Sequence, residues 1–296
     1  FYQNAAHTLD PIQVHASGSG VDGIAIGDVD NDGLADIVVS HWNETTIKVF
    51  YQVAGGFDTM TYQKPQGGSD EINIGDVNGD GLNDVVFMSG QLSDSGLHVF
   101  LQNASGALDS YVSYYSATTG VMGWLSGFAI GDLNGDGLND LAASEGGDQP
   151  SAQLAIWYQD PVTHTFPSCM EIPAYDIPTP VQIADLDCDG RSEIIVGHSG
   201  WDQFSVYAQD SLGQYGAYQL HPLPYAQYGP QSLSVADLDG DGRKDVAFSN
   251  WDFGLSTSRN TSLPAVFDST DVTVVVDTIG SDTIHITDHN YVSVVD

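Results

Sequence analysis

The fold of this chain is decided by the stretch Asp132-Leu133-Asn134-Gly135-Asp136-Gly137-Leu138-Asn139-Asp140, the clearest of five similar acidic segments. The other four begin at Asp28, Asp76, Asp185 and Asp237. Every copy has oxygen-bearing side chains at positions one, three, five and nine and glycine at position six. In such a segment alternate side chains turn inward, the glycine permits a sharp turn, and a backbone carbonyl near position seven can add an oxygen. The spacing therefore predicts loops that each wrap one hard cation, with calcium as the natural occupant.

Four side chains in each segment are the predicted metal ligands, and about five calcium ions are expected. Carboxylates crowded within a few ångströms repel one another unless a cation lies among them. The alternative is a set of Asx turns without metal. The predicted role of the ion is structural, because nothing in the segments indicates an open coordination position for catalysis. The predicted ligands are Asp28, Asp30, Asp32, Asp36, Asp76, Asn78, Asp80, Asp84, Asp132, Asn134, Asp136, Asp140, Asp185, Asp187, Asp189, Glu193, Asp237, Asp239, Asp241 and Asp245.

Each acidic segment lies between two predicted strands. An apolar alternating run such as Phe128-Ala129-Ile130-Gly131 precedes it, and a β-prone run such as Glu193-Ile194-Ile195-Val196 follows it. A helix-loop-helix calcium hand would instead need a bidentate glutamate at position twelve and a helix on each side. Position twelve here is apolar or small. The segments are therefore predicted to be loops between strands.

A second repeated signature sets the length of the unit. Predicted strands after successive loops end in Phe50-Tyr51-Gln52, Phe100-Leu101-Gln102, Trp157-Tyr158-Gln159 and Tyr207-Ala208-Gln209. The loop starts at residues 28, 76, 132, 185 and 237 are separated by 48, 56, 53 and 52 residues. This period fits four short strands per unit. One such unit cannot bury both of its faces alone, so we expect neighbouring units to stack.

The unit Phe128-Ala129-Ile130-Gly131-Asp132-Leu133-Asn134-Gly135-Asp136-Gly137 resembles the FG-GAP (VCBS-type) repeat. That repeat is found in integrin α-chain propellers, in propeller lectins and in many large secreted bacterial proteins. The resemblance implies an all-β fold, a β-propeller of four-stranded blades with calcium in the loops. It does not indicate the ligand, because proteins with this repeat bind unrelated partners.

Both ends of the chain match the middle of a repeat. Phe1-Tyr2-Gln3 resembles the end of an aromatic–glutamine strand, and residues 291–296 resemble residues 232–237. With five complete calcium-loop repeats visible, we expect six or seven blades, and either a segment of a longer polypeptide or ends that share a blade. Residues 1–270 are expected to form the propeller, and residues 271–296 a final partial blade or the start of a further β domain. Residues 254–270, rich in Ser, Thr and Pro, are predicted to be an extended insertion.

The charge of the chain limits its partners. It has 40 Asp and Glu residues against 6 Lys and Arg residues, a formal net charge of −34. Nucleic acid and anionic membrane surfaces are not expected partners, since both attract clustered cations. No stretch is long and apolar enough for a membrane span, so membrane insertion is not expected either. Bound calcium would relieve part of the repulsion between the acids.

Three tryptophans are candidate ligand contacts. Trp42, Trp201 and Trp251 follow their loop starts by 14, 16 and 14 residues, and each precedes Asn or Asp. They are therefore predicted to occupy equivalent turns. An indole beside a hydrogen-bonding side chain suits a sugar, because the apolar C–H face stacks on the ring while the hydroxyls find polar partners. The alternative is that each tryptophan fills a gap between blades.

No enzymatic activity is expected. The histidines share no spacing with a nucleophile, and the Gly-x-Ser-x-Gly pattern is absent. Paired carboxylates can hydrolyse glycosides, but here the predicted loops use them. Cys169 and Cys188 either form a disulfide, in an oxidising compartment, or remain two free thiols.

These observations predict an extracellular, calcium-stabilised binding or adhesion module of a secreted or surface protein, with a glycan or a protein as its partner. The alternative function is a structural subunit or scaffold of a surface assembly or filament, in which copies of the chain contact one another. A polysaccharide hydrolase is the third hypothesis.

Overall fold

The computed structural model describes residues 13–64, 69–89, 95–116, 124–210, 212–250, 254–261, 285–287 and 291–293. Within them the fold is an all-β propeller with four-stranded blades, as expected. The strands of the four complete blades are β1 (Val21–Gly27), β2 (Asp36–His41), β3 (Thr46–Val53), β4 (Gly56–Gln63), β5 (Ser69–Gly75), β6 (Asp84–Ser89), β7 (Gly96–Phe100), β8 (Val112–Tyr114), β9 (Leu125–Gly131), β10 (Asp140–Glu145), β11 (Gln153–Trp157), β12 (Met170–Pro173), β13 (Pro178–Ala184), β14 (Glu193–His198), β15 (Trp201–Tyr207) and β16 (Gln219–Ala226). The fifth blade contains β17 (Leu233–Ala236), β18 (Asp245–Asn250) and β19 (Gly254–Ser258), and a separate hairpin contains β20 (His285–Thr287) and β21 (Tyr291–Ser293).

Each blade is an antiparallel meander in which strands pair in chain order. The acidic loop joins the first two strands, and in the first blade Gly27 pairs with Asp36 across its base. The aromatic–glutamine strand is the third strand, followed in the first blade by a tight turn between Val53 and Gly56. The predicted order of elements within a unit is therefore confirmed.

The expected number of blades is wrong. The described residues form five blade sheets, where six or seven were predicted. A sixth unit was inferred because residues 291–296 resemble the strand before the fifth loop. Within the described residues, Tyr291–Ser293 pairs with His285–Thr287 as a two-stranded sheet and joins no blade. Alternation of apolar and polar residues marks any half-buried strand, so it could not identify a blade without a complete loop behind it.

The predicted insertion at residues 254–270 is also partly wrong. Residues Gly254–Ser258 form β19, which pairs with β18 and is the third strand of the fifth blade. Its sequence Gly-Leu-Ser-Thr-Ser lacks the apolar residues that marked the other third strands, so the tertiary pairing overrides a weak local signal. The expected boundary near residue 271 lies outside the described residues.

The chain divides into two compact units, Phe1–Leu125 and Ser126–Asp296. The first unit has an apolar core in which Ile47, Val49, Phe87 and Phe100 are almost completely buried. The second unit has one core around Leu154, Ile156 and Tyr207, with side chains of the third and fourth blades, and another around Phe204 and Phe248, with side chains of the fourth and fifth blades. Full burial of one such side chain contributes about 1.5–3 kcal/mol. Stacking of blade faces therefore supplies the core, as predicted.

Candidate metal centre and binding turns

Positions four and six of the acidic loops adopt left-handed backbone conformations. At position six Gly33, Gly137 and Gly242 have φ of 87°, 85° and 89°. A Cβ placed on any of these three glycines would meet no atom within 4 Å. The glycine is therefore required by the backbone angle and not by space. At position four, where other copies have glycine, Asn31 and Cys188 both have φ of 61°.

Backbone N–H groups of the loop point at the carboxylate that begins it. In all five copies the position-six glycine donates a hydrogen bond to the position-one aspartate, at 2.8–3.1 Å. The side chains at positions three and five accept further N–H bonds within the loop, as Asp136 Oδ1 does from Leu138 N at 2.9 Å. These bonds define Asx turns, and they fix the carboxylates near one another.

Three of the five loops bring three carboxylates together. In each group, one oxygen from each residue lies within 4.8 Å of the corresponding oxygens of the other two. Two of the groups include the position-nine residue. The groups are Asp28, Asp30 and Asp32; Asp185, Asp187 and Glu193; and Asp237, Asp239 and Asp245.

Two position-one carboxylates carry a buried oxygen that has no hydrogen-bond partner among the described residues, Asp28 Oδ1 and Asp185 Oδ1. An unsatisfied buried acceptor costs about 1–3 kcal/mol, and more when it is charged. A divalent cation bound to these oxygens would remove that cost. Calcium prefers carboxylate and carbonyl oxygens, so the donor set fits this ion.

Not every predicted ligand lies in these groups. Asp189 accepts two hydrogen bonds from the guanidinium of Arg191, one of them at 2.8 Å from Nε, and Asp241 accepts one from Nη2 of Arg243. An arginine two residues on therefore competes for the position-five carboxylate in the fourth and fifth loops. Position seven is leucine in the other three loops, so this difference was readable from the sequence.

The second and third loops have asparagine at position three. The Asn134 amide donates from Nδ2 to Asp136 Oδ2 at 3.2 Å and accepts at Oδ1 from Asp136 N at 2.9 Å. Asn78 makes the same two bonds with Asp80. A neutral amide replaces one carboxylate, so these loops place less negative charge together than the first, fourth and fifth loops.

The position-nine carboxylate is buried in all five loops and connects three parts of its blade. It accepts the N–H of position two at 2.7–2.9 Å. In four loops its other oxygen accepts an N–H from the end of the third strand or just beyond it, at 2.8 Å. Those donors are Gln52, Gln102, Gln159 and Asn260. We call this arrangement the carboxylate clamp. The sequence predicts this residue only as a metal ligand, because no local signal connects it with the glutamine two residues after the aromatic.

Burial shifts the pKa of most clamp carboxylates upward. It raises the pKa of Asp84 to about 7, of Asp140 to about 6 and of Glu193 to about 7, against the lowering effect of the accepted N–H bonds. Burial also raises the pKa of Asp36. Asp245 differs, because its N–H bonds from Asn260 and Leu238 outweigh burial and lower its pKa. A nearby cation would favour the ionised form of all five.

Both described tryptophans lie near the connection between the second and third strands of their blades. Trp42 follows the second strand of the first blade, and Trp201 opens the third strand of the fourth. Their side chains are 59% and 36% exposed, so neither is a fully buried filler between blades. Trp251 lies outside the described residues.

Trp201 belongs to an aromatic cluster that the sequence did not reveal. The Tyr175 ring lies edge-on to Trp201, with centroids 5.5 Å apart, and 6.3 Å from Tyr218. The Gln149 amide donates from Nε2 to the Tyr218 hydroxyl at 3.0 Å. Tyr175 and Tyr218 lie outside the repeated motifs, so no spacing pointed to them. This turn presents aromatic faces beside polar groups.

Cys169 and Cys188 are free thiols in the structure. Burial raises the pKa of the Cys169 thiol to about 12, so this side chain is a poor nucleophile. Among the described residues there is no helix with the length and apolar character of a membrane span.

Comparison with known proteins identifies the repeat. A family model described as an FG-GAP-like repeat matches residues 76–143 and 185–248. No curated protein sequence matches the chain. Among solved structures, one described as the structure of Dos1 propeller is similar, with a TM-score of 0.51, 11% identity, and coverage of 80% of this chain and 56% of that one.

A second similar chain comes from the structure of ctPRC2 in complex with H3K27me3 and H3K27M, with a TM-score of 0.52, 14% identity, and coverage of 81% of this chain and 55% of that one. This chain thus spans a little over half the length of both similar chains. At such low identity the likeness concerns the fold alone. The chain is therefore a β-propeller in which residues 76–143 and 185–248 match the FG-GAP-like repeat.

Proposed function

We propose that the chain is an extracellular, calcium-stabilised binding or adhesion module. The observation that carries the proposal is the set of three carboxylate groups with oxygens within 4.8 Å, two of which include a buried oxygen that lacks a hydrogen-bond partner in the described part of the chain. A net charge of −34 adds a reason for a divalent counter-ion. Extracellular calcium sites of the EF-hand type have dissociation constants of about 10⁻⁴–10⁻³ M, and we expect a similar range here.

The ion would be held mainly at the first, fourth and fifth loops by the carboxylate groups named above. When bound, it supplies positive charge that neutralises neighbouring carboxylates and pins the loop. Asp28 and Asp185 would contribute the oxygens that are otherwise unsatisfied. The second and third loops, with Asn78 and Asn134, would hold calcium more weakly, because they offer fewer charged ligands.

We further propose that the module is not an enzyme. Two of its histidines have structural surroundings. Buried His198 is hydrogen-bonded to Ser205 Oγ at 2.8 Å and to the Asp176 carbonyl at 3.0 Å, and the His98 ring stacks on Phe87 with centroids 4.7 Å apart. Burial lowers the pKa of His198 to about 4, which leaves it neutral and poorly suited to proton transfer at neutral pH.

The partner surface that we favour is the turn of Trp201. Tyr175, Trp201 and Tyr218 present partly exposed rings, with Asp202 beside the indole in sequence. A pyranose can stack its C–H face on such rings and hydrogen-bond to neighbouring oxygens. The Trp42 turn offers a second exposed indole followed by Asn43, and two such contacts on one chain would add avidity.

Thermal unfolding with calcium and with chelator tests the calcium proposal. An ion bound only to the native state stabilises it by about 2.7 kcal/mol at one hundred times its dissociation constant. We therefore expect a markedly lower melting temperature in EGTA. Calorimetric titration should find one calcium site fewer in Asp185→Asn than in the wild type. The control is Asp58→Asn, which removes a charge from an exposed residue of β4. This variant should bind calcium as the wild type does. Identical melting in calcium and EGTA would contradict the proposal.

A glycan array probed in calcium tests the partner. We expect binding that is lost in Trp201→Ala and kept in Trp124→Ala, which removes a tryptophan that is 46% exposed but lies outside the repeated turns. Absence of glycan binding together with concentration-dependent self-association would instead support a scaffold.

A further inference from the structure

The fifth blade lacks an aromatic ring that the other four blades share. In each blade, one residue of the third strand pairs with the residue directly after the clamp carboxylate. In the first four blades this residue is Phe50, Phe100, Trp157 or Tyr207, and each is at most 5% exposed. In the fifth blade it is Ser258, which is half-buried.

A cavity of about 490 Å³ lies beside Ser258, between β15 and β16 of the fourth blade and β18 and β19 of the fifth. All of these strands belong to the second compact unit. Its apolar wall contains Phe204, Val206 and Val246. The Phe204 ring is stacked on His221, with centroids 5.0 Å apart and planes inclined by 24°. Pockets for small molecules measure about 300–1,000 Å³ and combine apolar walls with a few polar groups, and this cavity fits that description.

The same cavity has a cationic side. Lys244 and Arg259 line it, in a chain with only 6 basic residues against 40 acidic ones. Arg259 makes an ion pair with Asp239 at 3.4 Å from Nη1, and with respect to the described residues its other guanidinium donors remain available for a further acceptor. Asp187 and Glu193 border the cavity from the fourth loop. An anionic group in the cavity is therefore expected to lie toward the fifth blade and away from that loop.

We propose that this cavity binds a small organic acid that carries a ring. The ring occupies the place that the other blades fill with their own aromatic side chain, against Phe204 and Val246. The carboxylate pairs with Lys244 and Arg259 through charge-assisted hydrogen bonds, and Gln219 supplies an amide for a further polar group. The site is separate from the Trp201 turn and does not rest on the proposed glycan contact there.

Two acids that contain a ring serve as probes, and they distinguish an aromatic ligand from an acidic sugar. Phenylacetate represents aromatic acids, with phenylacetamide as its neutral counterpart. Glucuronate represents the acidic sugar of a polysaccharide, with glucose as its neutral counterpart. Binding is measured by calorimetry and ligand-observed NMR in saturating calcium, so that the loops are in one state throughout. We expect at least one acid to bind. The affinity of its neutral counterpart should be lower by about ten-fold or by a larger factor.

Three variants and a control locate the site. Ser258→Phe restores the ring found in the other blades and should abolish binding of the acid without lowering the melting temperature. Lys244→Gln and Arg259→Gln change exposed side chains, so they should fold normally and weaken binding several-fold. Arg191→Gln removes a basic residue that does not line the cavity and should bind as wild type does.

The proposal is overturned if neither acid binds at about 10 mM, which corresponds to an affinity too weak for a specific site. It is also overturned if acid and neutral counterpart bind equally, or if Arg191→Gln loses as much affinity as Arg259→Gln. If the folded Ser258→Phe variant still binds the acid, the acid binds outside this cavity and the proposal is overturned. Should Ser258→Phe not fold, the two charge variants and the Arg191 control still decide the outcome.

Discussion

At the scale of single residues, the backbone conformation of the acidic loop determines which residue types its turn positions accept. Position six always has glycine because its φ lies in the left-handed region, as in Gly137 at 85°. Cys188 adopts φ of 61° at position four without being glycine, so position four tolerates a side chain. Position six, which has glycine in all five copies, is the position at which we expect a side chain to be costly.

We expect Gly137→Ala to destabilise the protein by about 1–2 kcal/mol, which is the cost of the left-handed conformation for a residue with Cβ. A steric clash does not contribute, since no atom lies within 4 Å of the added Cβ. The measurement is thermal or denaturant unfolding in calcium. Gly56→Ala is the control, because this glycine of β4 is equally free of neighbours and has no positive φ. Equal effects of the two changes would contradict the argument.

A second prediction at this scale concerns pH. The pKa of Asp84 is raised from 3.8 to about 7 and that of Glu193 from 4.5 to about 7. A raised pKa means that the folded state binds the proton more tightly than the unfolded state. The associated stability is therefore fully present below about pH 4 and is lost as the pH rises to about 7. We expect the melting temperature of metal-free protein to fall between pH 5 and pH 8.

Calcium should oppose this loss, because it binds the deprotonated carboxylates. Asp84→Asn, which cannot ionise, should reduce the pH dependence in EGTA, whereas Asp58→Asn should leave it unchanged. Residues whose pKa is lowered by backbone N–H bonds, such as Asp160 and Asp210, act in the opposite direction but only below their ordinary value of 3.8. A melting temperature that rises from pH 5 to pH 8 without metal would contradict the prediction.

At the scale of strands, successive blades approach closely at small residues. In β9, a Cβ on Gly127 would lie 1.9 Å from the Thr179 carbonyl oxygen in β13. The Ser144 hydroxyl donates a hydrogen bond to that oxygen at 2.8 Å. Because the obstacle is backbone and not a flexible side chain, a larger residue at position 127 would have to separate the two strands.

We therefore expect Gly127→Ala to destabilise the protein by about 3 kcal/mol or more, at the upper end of the cost of overpacking. Gly216→Ala is the matched control, since that glycine has no neighbours within 4 Å and no positive φ. Denaturant unfolding compares the two. An effect of Gly127→Ala as small as that of Gly216→Ala would mean that the strands can separate freely.

The sequence predicted the strand order within each blade, because loop spacing and the aromatic–glutamine strand are local signals. It did not predict β19, since Gly254–Ser258 has no apolar run and is recognised only by its pairing with β18. It predicted Trp201 as a candidate ligand contact but missed Tyr175, which approaches the indole from a separate loop. The clamp was missed for the same reason, because it depends on how Asp36 and Gln52 meet in three dimensions.

At the scale of the whole molecule, charge is the dominant property. A formal charge of −34 opposes compaction through self-repulsion. Two of the few basic residues form ion pairs with an acid two positions away, Arg191 with Asp189 and Arg243 with Asp241. Screening by salt and neutralisation by calcium should therefore be partly interchangeable for stability.

We expect the melting temperature in EGTA to rise with sodium chloride between about 0.05 and 1 M, since the Debye length falls from above 10 Å to about 3 Å over this range. In saturating calcium the rise should be smaller, because fewer uncompensated carboxylates remain. Sucrose, an uncharged excluded solute, controls for general stabilisation. Equal salt dependence with and without calcium would show that the loops do not contribute to the repulsion.

The carboxylate clamp also bears on how the chain folds. Its hydrogen bonds join residues 15–19 positions apart in sequence, in the first, second, third and fifth blades. Short-range contacts of this kind close with little loss of chain entropy, and arrays of similar units can begin folding at more than one place. Each blade can therefore form its own loop, hairpin and clamp soon after synthesis. The faces of the blade become buried later, when the neighbouring blade packs against them. The clamp thus makes the blade the unit of kinetic assembly, so that a defect in one loop should slow the folding of that blade before it affects the rest of the chain.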